Sequence, residues 1–182
     1  MFSYILLIFV ALLSPLSLDW NNKHTIPPEI KSYKYYFGDT AWGLVVYLGE
    51  DLDEMETELQ LMYTATHLSS ALLVLGPIGL NNINCLKKYK SIVGVLNKKY
   101  GHFKHRRETK DPLIEELLLS GFCNSTRTGL YEVHTFWRKG RFGIEAVLVG
   151  DEEGIYIHIT YSNLKFVHLH KKQERKKILK RL

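Results

Sequence analysis

Residues 129–162, "GLYEVHTFWRKGRFGIEAVLVGDEEGIYIHITYS", decide the fold. They divide into three strand-like runs, "GLYEVHTFWRKG", "RFGIEAVLVG" and "GIYIHITYS". β-branched and aromatic residues dominate each run, as expected of strands. "KG" joins the first two and "GDEEG" the last two, connections short enough for antiparallel neighbours. The reading is a C-terminal three-stranded meander.

Upstream, "INCLKKYKSIVGVLNKKYG" is the clearest helix. Leu86, Tyr89, Ile92 or Val93, Leu96 and Tyr100 recur at helical spacing, lysines fill the opposite side, and Gly101 offers the left-handed stop. Asn82 or Asn84 suits its N-cap. "HFKHRRETK" reads as a polar loop. "DPLIEELLLSG" reads as a short second helix, with Asp111 as N-cap, Pro112 at the first position and Gly121 as stop.

Earlier still, "YKYYFGDTAWGLVVYLGED" reads as strands around a Gly-Asp turn. The stretch "EDLDEMETELQLMYTAT" offers both a helical stripe and the alternation Leu59, Leu61, Tyr63, Ala65; a short acidic turn or helix near 51–56 followed by a strand fits best. "SSALLVLGPI" is its partner strand, with "HLSS" as the turn. Strands, two helices, then strands imply an α+β domain, an antiparallel sheet with two helices packed on one face.

Two of these blocks together, "YKSIVGVLNKKYG" and "TFWRKGRFGIEAVLVGDEEGIYIHITYSN", resemble a pattern of small uncharacterised exported bacterial proteins and lipoproteins. The resemblance covers residues 69–163 and lacks a lipobox cysteine after the leader. It implies an exported α+β fold and assigns no catalytic residue.

The ends of the chain bear on location. "MFSYILLIFVALLSPLSLDW" has no charged side chain before Asp19, and its apolar run, Tyr4 to Leu13, has the length of a signal-peptide core broken by Ser14, Pro15 and Ser17. Residues 1–18 are therefore expected to be a signal peptide, or alternatively an anchor holding the protein at a membrane through residues 2–18. Residues 19–32 read as a linker, 33–169 as one α+β domain and 170–182 as a basic tail. The chain of 182 residues has a formal charge of +5. Lys171, Lys172, Arg175, Lys176, Lys177, Lys180 and Arg181 against Glu174 give the tail a net of +6, leaving the rest at −1. A nearly neutral body lacks the basic face of a nucleic-acid binder. The tail suits an anionic membrane surface; nucleic acid is not expected as a partner of an exported chain.

Cys85 and Cys123 are the only thiols and form a disulfide candidate in an oxidising compartment. His134, His158 and Glu132 are candidates for an acid–base set on the meander, with Glu145 in reach of joining them; polar residues on the solvated side of an antiparallel sheet give the same list. His102 and His105 (HxxH) and His168 and His170 (HxH) lie among cationic residues, so no metal site is expected. "GFCNSTRTG" carries Cys123, Ser125 and Thr126 without a nucleophile signature, and a glycosylation acceptor pattern at Asn124. No P-loop, dinucleotide fingerprint or HExxH occurs, and no cofactor is expected. Trp42, Trp137, Tyr33, Tyr35 and Tyr36 suit core packing, with an aromatic contact surface as the alternative. The expectation is a non-enzymatic, secreted or periplasmic binding or accessory protein of the cell envelope, with an unknown protein partner. The alternatives are a small hydrolase using the meander His and Glu, or an anchored protein binding anionic lipid or nucleic acid through its tail.

Overall fold

The computed structural model describes residues 33–39, 43–49, 55–64, 67–78, 84–110, 122–129 and 131–166. The leader, the linker, the basic tail, residues 51–54 of the acidic turn or helix expected near 51–56, and the helix expected over 111–120 lie outside the described residues.

The meander forms as its alternation dictates. Strands β6 (Tyr131–Lys139), β7 (Phe142–Gly150) and β8 (Ile155–Asn163) pair antiparallel, with Thr135 opposite Ala146 and Ala146 opposite Ile159. Gly140, at φ +57°, opens a two-residue turn between Lys139 and Phe142, a conformation that side chains rarely adopt. The Asp151 carboxylate closes the next loop by accepting the amides of Glu153 and Gly154.

The N-terminal half is a second meander, β1 (Tyr33–Asp39), β2 (Leu44–Gly49), β3 (Thr57–Tyr63) and β4 (Leu68–Leu75). The alternating reading of 57–63 holds: Thr57, Leu59, Leu61 and Tyr63 are buried. The expected "HLSS" turn is displaced, because Leu68 to Ser70 already belong to β4. Ser69 is buried there and its hydroxyl donates to the Met62 carbonyl at 2.7 Å, so a residue that favours turns is satisfied inside the sheet. The actual turn is closed by Thr64, whose amide and hydroxyl both donate to the His67 carbonyl.

Strand β5 (His105–Lys110) corrects the reading of "HFKHRRETK" as a loop. It pairs antiparallel with β6 and completes an eight-stranded antiparallel sheet in the order β1-β2-β3-β4-β8-β7-β6-β5. The two meanders join through their last strands, β4 and β8.

Helix α1 (Asn84–Tyr100) follows β4 and packs on one face of the sheet. Cys85, Tyr89, Ile92 and Leu96 are buried, one line along a 3.6-residue helix. Gly101 at φ +83° ends it. Two polar contacts fix its register on the sheet. The Tyr89 hydroxyl reaches the carbonyls of Ala146 (3.0 Å) and Val133 (3.2 Å) and the Thr135 hydroxyl (2.8 Å). Burial pushes that phenol up to about 12, so it stays a neutral donor. Asn97 Oδ1 accepts the Trp137 indole N–H at 2.9 Å and the Phe103 amide at 3.2 Å.

Helix α2 (Phe122–Arg127) covers the same face. Gly150 makes room for it: a Cβ there would run into the backbone of Thr126 and Arg127. Cys123 on α2 and Cys85 on α1 are joined by a disulfide across a sequence separation of 38, with Cα atoms 6.0 Å apart. Both cysteines are buried in the core.

Candidate functional site

The helices leave the other face of the sheet uncovered by any described element. Because strand side chains alternate, the same register that buries one set of residues places a second, mostly half-buried set on this face, with Val147 itself buried. One row of cross-strand neighbours crosses all eight strands: Arg107, His134, Val147, His158, Val74, Glu58, Leu48 and Lys34, from β5 to β1. The adjacent row contains His105, Phe136, Glu145 and Thr160.

The polar chemistry concentrates on β6 and β7. His134 Nδ1 lies 2.8 Å from Glu145 Oε1, and Nε2 lies 3.1 Å from Glu132 Oε2. Glu132 is two residues from His134 on the same strand, so it shares the face. Glu145 pairs with Phe136 and reaches His134 on the diagonal. A neutral imidazole donates from one nitrogen only, so both carboxylates are hydrogen-bonded together only when the ring carries two protons. Flat rings extend the cluster. His134 stacks beside Phe136 at 6.1 Å and an interplanar angle of 12°, and His105 stacks on the other side of Phe136 at 5.9 Å and 23°. Arg107 stands opposite His134 on the edge strand.

His158 is not part of this cluster. Strand β7 runs between β6 and β8, and Val147 separates the two histidines in their row. Two strand spacings put about 10 Å between them, too far for a hydrogen bond. His158 instead lies beside the Tyr156 ring, with centroids 6.4 Å apart. Burial lowers its pKa from 6.5, opposed by the charges of Asp151 and Glu58.

Both His134 nitrogens are occupied by carboxylates, leaving neither aimed at a substrate proton. The cysteines are consumed by the disulfide, and Ser125 and Thr126 are buried on α2, beyond the opposite face. Glu132 and Glu145 approach diverging ring nitrogens, so they do not converge on one point with His134; no metal-holding group of three His, Cys, Asp or Glu occurs among the described residues. His102 meets Phe103 edge-on while His105 stacks on Phe136, and the His168/His170 pair lies outside the described residues.

The aromatic residues expected in the core divide. Trp137 is buried, whereas Tyr35 and Tyr36 are exposed on β1 together with Phe37. Trp42 and the side chain of Tyr33 lie outside the described residues. An edge strand has one neighbour to shield it. No helix among the described residues is long and apolar enough to cross a membrane. A scan against protein-family models found no match to this chain, and searches of curated proteins and of solved structures found none either.

Proposed function

We propose that this protein is a non-enzymatic, exported binding module of the cell envelope that engages a protein partner through the open sheet face. The observation that carries the reading is that face: stacked rings and a carboxylate–imidazole–carboxylate cluster on a sheet whose other side carries the core. The buried Cys85–Cys123 disulfide supports export, since such bonds persist in oxidising compartments. The apolar run at 4–13 supports a removable leader.

Two measurements test it. Mass spectrometry of the native protein should find residues 1–18 absent and the cysteines bonded; an intact leader with free thiols rejects export. Chemical cross-linking in the source cell should join a partner to the wild type, and Glu145→Lys should lose that adduct with an unchanged melting profile. A partner retained by Glu145→Lys places binding elsewhere.

The geometry of His134 supports a second reading, a hydrolase in which Glu145 orients the ring. Ester or amide turnover abolished by His134→Gln would put this reading first. Binding of anionic lipid by the basic tail is compatible with both; vesicle co-sedimentation at low and high salt, with and without residues 171–182, tests it.

A further inference from the structure

The two edges of the sheet are built from opposite chemistries. Edge β5 reads "HRRETK". Its charges deter strand addition, and they are also held in place: Arg106 bridges Glu108 at 3.0 Å, and the Tyr131 hydroxyl donates to Glu108 at 2.7 Å. Edge β1 reads "YKYYFGD". Tyr35, Tyr36 and Phe37 are exposed, Tyr36 at 67%, and Leu48 of β2 beside them is exposed as well. Four of the five exposed large hydrophobic residues among those described therefore sit at one corner.

This strand is complementary to itself. Lys34 and Asp39 bracket the aromatic triplet with opposite charges. Five residues apart, they would ordinarily project to opposite faces, because strand side chains alternate. The bulge between Tyr35 and Phe37 shifts the register by one residue. Lys34 is then opposite Leu48 and Asp39 opposite Leu44, two positions that both belong to the open face. Tyr35 and Gly38, opposite Tyr47 and Val45, both belong to the covered face. An antiparallel pairing that sets Lys34 against Asp39 of a second strand also sets Tyr35 against Gly38, over which the Tyr35 ring of the same strand already lies. Each flanking pair then matches in face, and the paired charges are opposite in sign. A parallel pairing would set Lys34 beside Lys34.

We infer that β1 is a self-association edge, pairing antiparallel with β1 of a second copy about a two-fold axis between Tyr36 and Phe37. The contact is isologous, so each Lys34–Asp39 pair occurs twice. It joins two eight-stranded sheets edge to edge and sets two open faces side by side as one wider platform. It goes beyond the proposed function and does not depend on export.

Sedimentation velocity of the disulfide-bonded full chain across a concentration series tests this. Wild type should show a monomer–dimer equilibrium. Lys34→Asp should raise the dissociation constant about tenfold, since two like-charge pairs replace two ion pairs. Asp39→Lys should do the same, and the double variant Lys34→Asp/Asp39→Lys should return to within about threefold of wild type, roughly the margin of one surface pair. Tyr36→Lys should leave only monomer. Thermal melts verify that each variant is folded, and Lys34→Asp is the decisive single change should Asp39→Lys fail to fold. A monomeric wild type overturns the inference. So does a dimer indifferent to Lys34→Asp, which is what association through the apolar run at 4–13 would give.

Discussion

The two faces of the sheet use the same strands and differ in every other respect. On the covered face, the row through Leu59, Leu73, Ile159 and Ala146 is apolar and almost wholly buried. On the open face, the neighbouring row alternates rings, carboxylates and aliphatic residues. Polar groups on the covered face tie helix to strand, as Tyr89 and Asn97 do, or strand to strand, as Tyr131 does with Glu108. On the open face His134 bonds to Glu145 and Glu132, and Gln60 to Glu58. The two sides therefore differ in chemistry, and substitutions on them should differ in effect.

The largest effect should come from the covered face. Replacing Cys123 by Ser removes a crosslink closing a 38-residue separation, worth about 4 kcal/mol by chain entropy. Denaturant unfolding of the variant, with Cys85 also replaced by Ser to avoid a stray thiol, measures it. Leu96→Ala should follow at about 3 kcal/mol, because Leu96 is fully buried under α1. A melt of Leu96→Ala matching wild type would mean that the covered face is not the stabilising one.

His158 should give an intermediate, pH-dependent effect. Its folded pKa lies below the unfolded value of 6.5, mainly through burial. Above 6.5 the ring is neutral in both states and contributes no pH dependence. As pH falls through 6.5 the unfolded chain takes up the proton first, so stability declines until the lower folded pKa is reached, and then levels. Unfolding midpoints of wild type should fall across that window more steeply than those of His158→Gln.

On the open face, His134→Gln should cost at most about 1 kcal/mol, since all three members of the cluster are partly exposed and such pairs are screened. The same substitution should weaken partner binding measurably. The smallest effect is expected from deleting Lys171 to Leu182: within about 0.5 kcal/mol in a melt, with loss of any salt-sensitive adsorption to anionic vesicles.

The residues most legible in the sequence were those whose apolar pattern matches their environment. Leu59, Leu61 and Tyr63 alternate because one side of β3 is buried, and Tyr89, Ile92 and Leu96 recur at helical spacing because one side of α1 is. "HRRETK" carried no such signal. An edge strand with charges on both faces is made a strand by its ladder to β6 and by nothing in its own composition. Helix α2 was missed for a related reason. Six residues are too few to display a period, and its position is set by the disulfide and by the absence of a side chain on Gly150. Within the site, Glu132 and His134 were readable as an i, i+2 pair, and Glu145 followed once the Gly140 turn fixed the hairpin. Grouping His134 with His158 runs against what the meander itself implies: two short hairpins in succession put the second strand in the middle.

The join between β4 and β8 has a consequence in time as well as in space. Strand β8, the last described strand to leave a ribosome or a translocation channel, occupies an interior position in the finished sheet, flanked by β4 and β7. Each meander can zip up from local hairpins, but they become one sheet only when a strand some eighty residues downstream of β4 arrives. Such distant pairings form slowly, because a long loop must close before they are rewarded. Until then the unjoined edges of β4 and β7 stand open to other strands. A chain threaded through a membrane N-terminus first would thus stay pliable for most of its passage and stiffen near its end.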